Sequence, residues 1–546
     1  MGVTELVEEG RAALARAEWD RARACFEQGL AVAEYADVLD GLGQALHFQG
    51  EYARAIELTE RAFAAYLREG RGVEAADRAR WLAFLHGAVN VNMSVAGGWM
   101  ARAESALAGV EECAAHGWLA LDRAPFTDEV REREQLAISA LAIARRFGDT
   151  DLEYDALALL GEAYVASGRV REGMKLLDQA MAAVSSGEVI GIVAVGDVVC
   201  RMLSACEIAL DLQRAEEWMQ AATVFEAWKD WVSPVCRNHY GGILIAAGRW
   251  DEAEAELESA IRTFERSYRI MRESPLVKLA DLRVRQGRYE EARRLIAGHE
   301  SHPIARRALA AIALGQGELD LAEDLVRLCL ETEGAADPRC APIIELQVRV
   351  RLARGDLTGA AEARDRAVEI AATSDDERAN AYADLVSGLV ATAAREPATA
   401  ALQAALRRFS ALGLQLEAAR TQLALARALA LGAREAGVAE AKLALRNFER
   451  LGAQPDADAA AALLRELGVT GRSRTHTAGP LTKRETEVLA LLAIGCTNAE
   501  IAKRLVVSRR TAEHHVASIL SKLDLRTRAE AAAYAVRADA ERPVGR

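Results

Sequence analysis

A short pattern recurs along the first 470 residues and constrains the fold more than any other feature of the sequence. It consists of a small residue, a polar residue and a large apolar residue, with Ala or Gly three positions further on. Its instances are Ala17-Glu18-Trp19…Ala22, Gly50-Glu51-Tyr52…Ala55, Gly168-Arg169-Val170…Gly173, Gly248-Arg249-Trp250…Ala253, Gly287-Arg288-Tyr289…Ala292, Gly317-Glu318-Leu319…Ala322 and Gly355-Asp356-Leu357…Ala360. Between the instances, apolar residues recur at helical spacing. We therefore expect each instance to be the joint between two helices.

The residue types of the joint suit the end of one helix and the start of the next. Gly can adopt the left-handed conformation that ends a helix. The large apolar residue can pack between two antiparallel helices, and the small residue after it lets them approach closely. Aromatic residues make up only 5% of the chain, and Ala, Leu, Glu and Arg dominate, which favours helices over strands. The pattern thus predicts an all-α chain of stacked helical hairpins.

The clearest single unit resembles the tetratricopeptide repeat (TPR). The residues that carry the resemblance are Leu39, Leu42, Gly43, Leu46, Gly50, Tyr52, Ala55 and Ala62. Trp19 and Tyr52 are 33 residues apart, against about 34 in that repeat, whereas later spacings vary from 30 to 39 residues. Two Phe-x-x-Leu-Gly sequences, at Phe409 and Phe448, are expected to close the stack. We predict a TPR-like α-solenoid over residues 1–466 that binds a protein or peptide partner.

Charge separates a second region from this repeat region. The whole chain has a formal net charge of −13, but residues 471–546 contain 14 Lys and Arg against 8 Asp and Glu, a net charge of +6. Residues 467–479 have the composition of a linker. We therefore expect a separate basic domain over 480–546, and only this domain is expected to approach a polyanion.

The basic region carries three capping boxes, in which a Thr and a Glu three residues later satisfy free backbone amides at a helix start. They are Thr482-x-x-Glu485, Thr497-x-x-Glu500 and Thr527-x-x-Glu530, and Ser508 can cap one more helix. A small core is predicted from the apolar residues Leu481, Val488, Leu491, Leu492, Ile501, Ala502, Leu505, Val516, Ile519, Leu520, Leu523, Ala529 and Ala533. Ala512 is expected to face back toward the preceding helix. The two middle helices thus predict a helix-turn-helix, the second helix running from 508 to about 522.

The same region resembles the LuxR-type (LuxR/FixJ/GerE) C-terminal DNA-binding domain, which has four helices. The matching strings are Leu481-Thr-x-Arg484-Glu485, Asn498-x-Glu500-Ile501-Ala502, Ser508-x-x-Thr511, His515-Val516 and Lys522-Leu523. The resemblance implies a sequence-specific transcriptional regulator that binds double-stranded DNA as a homodimer. Two departures are Ala512, where the family usually has Val, and Ala517, which offers only a methyl group to a base.

The resemblance also implies roles for individual residues. The residues expected to face bases are Glu513, His514 and Ala517. Those expected to contact or flank phosphates are Asn498, Ser508, Arg509, Arg510, Thr511 and Lys522. Candidate dimer contacts are Ala531, Ala532, Tyr534 and Ala535. Hydroxyl groups, guanidinium groups and helix N-termini suit phosphate oxygens, and a Glu can accept a hydrogen bond from cytosine N4.

Other residues of the sequence could suggest a metal site, a ligand groove or an enzyme. His514 and His515 are adjacent on a helix and therefore point about 100° apart, so we expect no metal site there and no cofactor. Trp99, Trp118, Trp228 and Trp231 are expected to be packing residues, the alternative being the lining of a ligand groove. No P-loop, G-x-S-x-G or H-E-x-x-H motif occurs, so we do not expect an enzyme.

The cellular setting follows from the cysteines and the apolar runs. Eight cysteines are scattered without a C-x-x-C pair, as expected of free thiols in a reducing cytoplasm. The most apolar run, 189–199, is broken by Asp197 and is too short to span a membrane. We expect a cytoplasmic DNA-binding regulator whose repeat region receives a protein or ligand signal. The alternative is a TPR scaffold or adaptor tethered to DNA without sequence preference.

Overall fold

The computed structural model describes residues 2–127, 129–221, 229–333, 337–469 and 483–505, and beyond these 512, 515, 516, 519, 520, 523, 525, 527, 528, 530–532, 534 and 535. It divides the chain into two compact units, Met1–Leu467 and Gly468–Arg546, which we call the body and the C-terminal unit. The described residues form helices and turns and contain no β-strand. None of the described helices is long and apolar enough to cross a membrane.

The body consists of 25 described α-helices. They are α1 Val3–Ala15, α2 Trp19–Val32, α3 Ala36–Phe48, α4 Tyr52–Arg68, α5 Gly72–Ala88, α6 Met93–Leu107, α7 Ala114–Arg123, α8 Val130–Phe147, α9 Thr150–Ala166, α10 Val170–Ser186, α11 Ile192–Ala209, α12 Leu212–Ala221, α13 Lys229–Ala246, α14 Trp250–Phe264, α15 Glu273–Arg285, α16 Tyr289–Ile296, α17 Pro303–Gln316, α18 Leu319–Glu333, α19 Ala341–Ala353, α20 Leu357–Ala372, α21 Glu377–Ala394, α22 Thr399–Ala411, α23 Gln415–Ala430, α24 Arg434–Leu451 and α25 Gln454–Glu466. Short 3-10 turns lie at Ala124–Phe126, Arg269–Arg272 and Pro338–Cys340.

Each helix of the body packs against the next one along the chain. From α5 to α25 the odd-numbered helices also pack against one another in order, so they form one layer of the stack. Each hairpin can bury its apolar face only against its neighbours. The all-α fold and the TPR-like solenoid of helical hairpins are confirmed.

The joints have one shared backbone geometry. Their first residue has a positive φ in every instance, from +57° at Ala17 to +85° at Gly168. The N–H of the following residue donates to the carbonyl five positions earlier, as from Glu51 to Leu46 at 2.9 Å and from Arg288 to Arg283 at 2.8 Å. The two Phe-x-x-Leu-Gly sequences end in the same way, at Gly413 and Gly452. These bonds satisfy carbonyls that a helix end leaves free, and they confirm the predicted joints.

In each joint, the Ala or Gly that follows the large apolar residue by three positions lies at a close helix crossing. Fully buried positions of this kind are Ala22, Ala55, Ala253, Ala292, Ala322 and Ala360. The large apolar residue is buried at Trp250, which is 4% exposed, but Leu357 is 40% exposed. The prediction that the large apolar residue packs between two helices is therefore wrong for Leu357. There the start of α20 is closed by Asp356, whose carboxylate accepts a hydrogen bond from the Gly359 amide at 2.9 Å.

Contacts between positions far apart in the chain connect the body across its stack. The amide of Val170, at the start of α10, donates to the Asp375 carboxylate at 2.8 Å across 205 residues. The Tyr268 hydroxyl lies 3.0 Å from His47 Nε2, which is 221 residues away. Gly287 lies against Pro455, at a distance where an added Cβ would be 3.0 Å from the ring. The body is therefore held by distant contacts as well as by contacts between neighbouring hairpins.

Candidate nucleic-acid interface

The C-terminal unit is built around one small apolar core. Its described helices are α26 Lys483–Ala493 and α27 Asn498–Leu505, and helical residues continue at 512, 515, 516, 519 and 520. The buried core residues are Val488, Leu489, Leu492, Cys496, Ile501, Ala502, Ala512, Val516, Ile519 and Ala531. Ala512 is fully buried beside Ile501 and Ala502, which confirms that it faces back toward the preceding helix.

Two of the three predicted capping boxes lie among the described residues, and both form. Glu500 accepts a hydrogen bond from the Thr497 amide at 2.7 Å, and the Glu500 amide donates to the Thr497 hydroxyl at 3.3 Å. Thr527 and Glu530 make the same two bonds at 3.3 and 3.2 Å. The bonds from Thr497 lower the pKa of Glu500 below its ordinary value. The box at Thr482 lies outside the described residues.

Asn498 is the one predicted phosphate contact that the described residues include. It is the first residue of α27 and is half-buried. Arg528, which sequence reasoning missed, donates from Nη1 to the Asn498 side-chain oxygen at 2.8 Å. The only sequence feature that could have indicated a role for Arg528 was its position directly after Thr527, in the first turn of the last predicted helix. This bond fixes the orientation of the Asn498 amide.

The other predicted interface residues stay predictions. Outside the described residues lie Glu513, His514, Ala517, Ser508, Arg509, Arg510, Thr511 and Lys522. Among the candidate dimer contacts, Ala531 is fully buried in the core, so its assignment to a contact surface was wrong: its methyl group is covered by the unit itself. Tyr534 is 41% exposed, and Ala532 and Ala535 are half-buried.

The body contains two large cavities on its odd-numbered helices. The first, of about 720 Å³, has charged groups that are already paired. Asp281 lies 2.8 Å from Arg285 and 3.3 Å from Arg307, and Arg420 holds Asp456 at 2.8 Å. Burial raises the pKa of Glu345 in the same wall. Such a lining suits a polar partner that can compete for these pairs.

The second cavity, of about 820 Å³, is lined mainly by apolar groups and includes Trp118. Trp118 also packs against the core of the body, so it is a packing residue that lines part of this cavity. Trp99 packs edge-on against Phe63, with ring centroids 5.2 Å apart, as a packing residue. Trp228 and the side chain of Trp231 lie outside the described residues.

Comparison with known proteins identifies the C-terminal unit. Residues 479–535 match the family described as "Bacterial regulatory proteins, luxR family". The transcriptional regulatory protein LiaR of Bacillus subtilis is 51% identical over 57 residues, 10% of this chain and 27% of that protein. The activator DevR/DosR of Mycobacterium tuberculosis is 36% identical over 90 residues, 16% of this chain and 41% of that protein. The chain thus spans between about a quarter and two fifths of these curated relatives, and the predicted LuxR-type domain is confirmed.

Two solved structures are similar to the chain over a longer range. A Rap protein complexed with competence and sporulation factor matches 68% of this chain and 98% of its own, with a TM-score of 0.43 and 14% identity. The Cut9–Hcn1 assembly matches 85% of this chain and 96% of its own, with a TM-score of 0.36 and 13% identity.

Proposed function

We propose that this chain, whose residues 479–535 form a LuxR-type domain, is a sequence-specific DNA-binding transcriptional regulator. Its body receives a protein or ligand signal and controls the C-terminal unit. The observation that carries the proposal is the match of residues 479–535 to the luxR family. The burial of Val488, Leu492, Ile501, Ala502, Val516 and Ile519 in one apolar core supports it. We place the protein in the cytoplasm, associated with the nucleoid when it is bound to DNA.

The packing of the core supports the base-facing roles of Glu513, His514 and Ala517. Ala512 and Val516 are buried in the core of the unit. Residues of one helix that lie one or two positions from a buried residue point to a different side. A helix that buries 512 and 516 can therefore offer 513, 514 and 517 to the major groove.

Asn498 supports the phosphate-binding side of the proposal. Arg528 occupies its side-chain oxygen, which leaves the amide NH2 group as a donor. A backbone phosphate requires a donor, and the N-terminus of α27 adds a favourable dipole at the same place. Asn498 and the start of α27 would then fix the domain on the DNA backbone, while the next helix reads bases.

A homodimer would place two recognition helices about 34 Å apart, one for each half-site. The exposed part of Tyr534 is the best remaining candidate for the dimer surface, with Ala532 and Ala535 beside it. We expect Tyr534→Glu to weaken binding to a two-fold site while leaving binding to a single half-site unchanged. Equal losses on both duplexes would remove Tyr534 from the dimer surface.

Selection from random duplexes with the full chain tests the main proposal. Enrichment of a two-fold sequence is the expected result. Binding without any enriched sequence would instead favour the adaptor, in which the body acts and the C-terminal unit only tethers it to DNA. Absence of DNA binding at low salt would refute both.

Point variants separate phosphate contacts from base contacts. Arg509→Ala is expected to weaken binding to every duplex and to reduce the salt slope by roughly one. Lys442→Ala is the matched control, because it removes the same charge from an exposed position of the body. Glu513→Ala is expected to change the preference at one base pair; a uniform loss on all duplexes would contradict its assigned role.

A further inference from the structure

The cavity of about 820 Å³ in the body has the size and the lining of a small-molecule site. Its walls come from α5, α7, α9, α11 and α13, with Met271 beside them. The apolar lining includes Trp81, Phe84 and Trp118. Trp81 and Phe84 stack with ring centroids 5.2 Å apart, so the two rings hold each other in place before any ligand binds. Cavities of about 300–1,000 Å³ with mainly apolar walls are typical of ligand sites.

Carboxylates outnumber guanidinium groups in and directly behind this wall. Arg80 pairs with Asp122 and, at 3.3 Å, with Asp77. Arg201 in the same way lies 3.1 Å from Asp155 and 3.5 Å from Glu162. Each of these two arginines is thus paired with two carboxylates, so the net charge of these groups is negative.

Among the other ionisable groups of the wall, His239 lies 2.7 Å from Glu207, and neither Arg78 nor Asp151 cancels this negative charge. Arg78 is held by Asp40, on α3, at 2.7 Å. Asp151 accepts hydrogen bonds from the backbone amides of Ile190 and Gly191 at 2.9 and 3.0 Å. The field inside the cavity therefore favours a cation.

Asp197 is a half-buried carboxyl group in this wall. Among the residues that the structure describes, none donates a hydrogen bond to it. Burial, followed by the charge of Asp155, raises the pKa of Asp197 to about 8. A carboxyl group whose pKa is raised by burial and by a neighbouring carboxylate is suited to ionise when a cation arrives.

We propose that this cavity binds an organic cation, an amine carried on an apolar body, with Asp197 as its counter-ion. The aromatic faces attract a cation and bury its apolar part. An anion would meet the carboxylate excess, and a neutral ligand would leave Asp197 without a charged partner. A bare metal ion requires several ligands in one shell, and no group of three or more His, Cys, Asp or Glu side chains among the described residues is placed to hold one. The role of this amine as the signal rests on the function proposed above, but its binding does not.

Calorimetry on the full chain tests the proposal with three probes of matched shape: phenethylamine, 2-phenylethanol and 3-phenylpropionate. We expect phenethylamine to bind at least tenfold more tightly than the alcohol, and the carboxylate to bind more weakly than either. Asp197→Asn is expected to abolish the preference for the amine. Asp458→Asn, in the other cavity, is the matched control and is expected to retain it.

Proton release gives a second readout that a structural role of Asp197 would not produce. At pH 7, titration in buffers of different ionisation enthalpy is expected to show about one proton released per amine bound, and none in Asp197→Asn. The charged and titratable groups that face Asp197 are Arg80 on α5, Asp122 on α7, Asp155 and Glu162 on α9, Cys200 and Arg201 on α11, and His239 on α13. Loss of the proton release in Asp197→Asn would show that the proton comes from Asp197 and not from one of these other groups.

Three results would overturn the proposal: equal affinity for amine and alcohol, a preference that survives in Asp197→Asn, or no binding of any probe at millimolar concentration. If the variant does not fold, the probe series and the proton count on the unaltered chain decide the outcome. The duplex selection described above contains no amine, so failure of the DNA-binding proposal is recorded separately from failure of this one.

Discussion

The contact between Gly168 and the loop before α21 gives a direct test of how the body is held together. Gly168 ends α9 with φ +85°, and a Cβ added there would be 2.7 Å from the Ser374 hydroxyl oxygen and 3.0 Å from Pro338 Cγ. Both neighbours are more than 160 residues away in the chain. Gly168→Ala therefore perturbs the joint and the distant contact at once.

The size of each effect can be worked out separately. An L-residue in the left-handed region costs about 1–2 kcal/mol, and overpacking at a tight contact costs about 1–3 kcal/mol more. We expect Gly168→Ala to lower the free energy of unfolding by about 2–5 kcal/mol. Gly317→Ala is the matched control, because Gly317 ends α17 with φ +78° and has nothing within 4 Å of the added Cβ. Its loss is expected to be only about 1–2 kcal/mol.

Urea denaturation of the full chain, followed by far-ultraviolet circular dichroism, measures both losses. Hydrogen exchange of the amides in α9 and α10 then reports whether the loss is local to the joint. Equal losses in the two variants would refute the reasoning. They would mean that the loop before α21 moves away freely and that the distant contact contributes no stability.

Three further predictions follow from single contacts. Asp375→Asn removes a carboxylate that accepts hydrogen bonds from the amides of Val170 and Arg171 at 2.8 and 3.4 Å. We expect the substitution to lower the free energy of unfolding in urea by about 1 kcal/mol. An unchanged midpoint of denaturation would contradict this. Thr527→Ala is expected to cost the C-terminal unit about 1 kcal/mol in a thermal melt, with recovery in Thr527→Ser, which keeps the oxygen. Because burial raises the pKa of Asp197 to about 8, above its value in the unfolded chain, the free energy of unfolding is expected to fall as pH rises from about 4 to about 8. Asp197→Asn is expected to remove this part of the slope in denaturation at pH 5.5, 7.0 and 8.5, whereas a constant difference between the two proteins would refute it.

The helix ends and the C-terminal domain were predictable because their signals are local. A Gly followed by a polar and a large apolar residue marks a joint whether or not anything lies near it, and Gly50, Gly317 and Gly355 all show the expected positive φ. The boxes at Thr497 and Thr527 likewise involve residues only three positions apart. Ala512 could be assigned to the core because it lies one helical turn from Val516.

Other assignments failed because helical spacing does not say which face a neighbour covers. Leu357 begins a helix in the same pattern as Trp250, but Leu357 is 40% exposed whereas Trp250 is 4% exposed. Ala531 lies among small residues that suit a surface contact, yet the core of the C-terminal unit covers it completely. Arg528 was missed because its partner, Asn498, is 30 residues away.

The amino-acid sequence by itself determined where helices end, how hairpins follow one another, and that a basic LuxR-type domain comes last. These features depend on backbone conformations and hydrogen bonds within about five residues, which residue types specify directly. Only the tertiary structure decided that Gly168 meets Ser374 while Gly317 meets nothing, and that Asp197 lies in a cavity wall with Trp118. The small rotations between successive hairpins accumulate over many residues, and no local pattern encodes their sum.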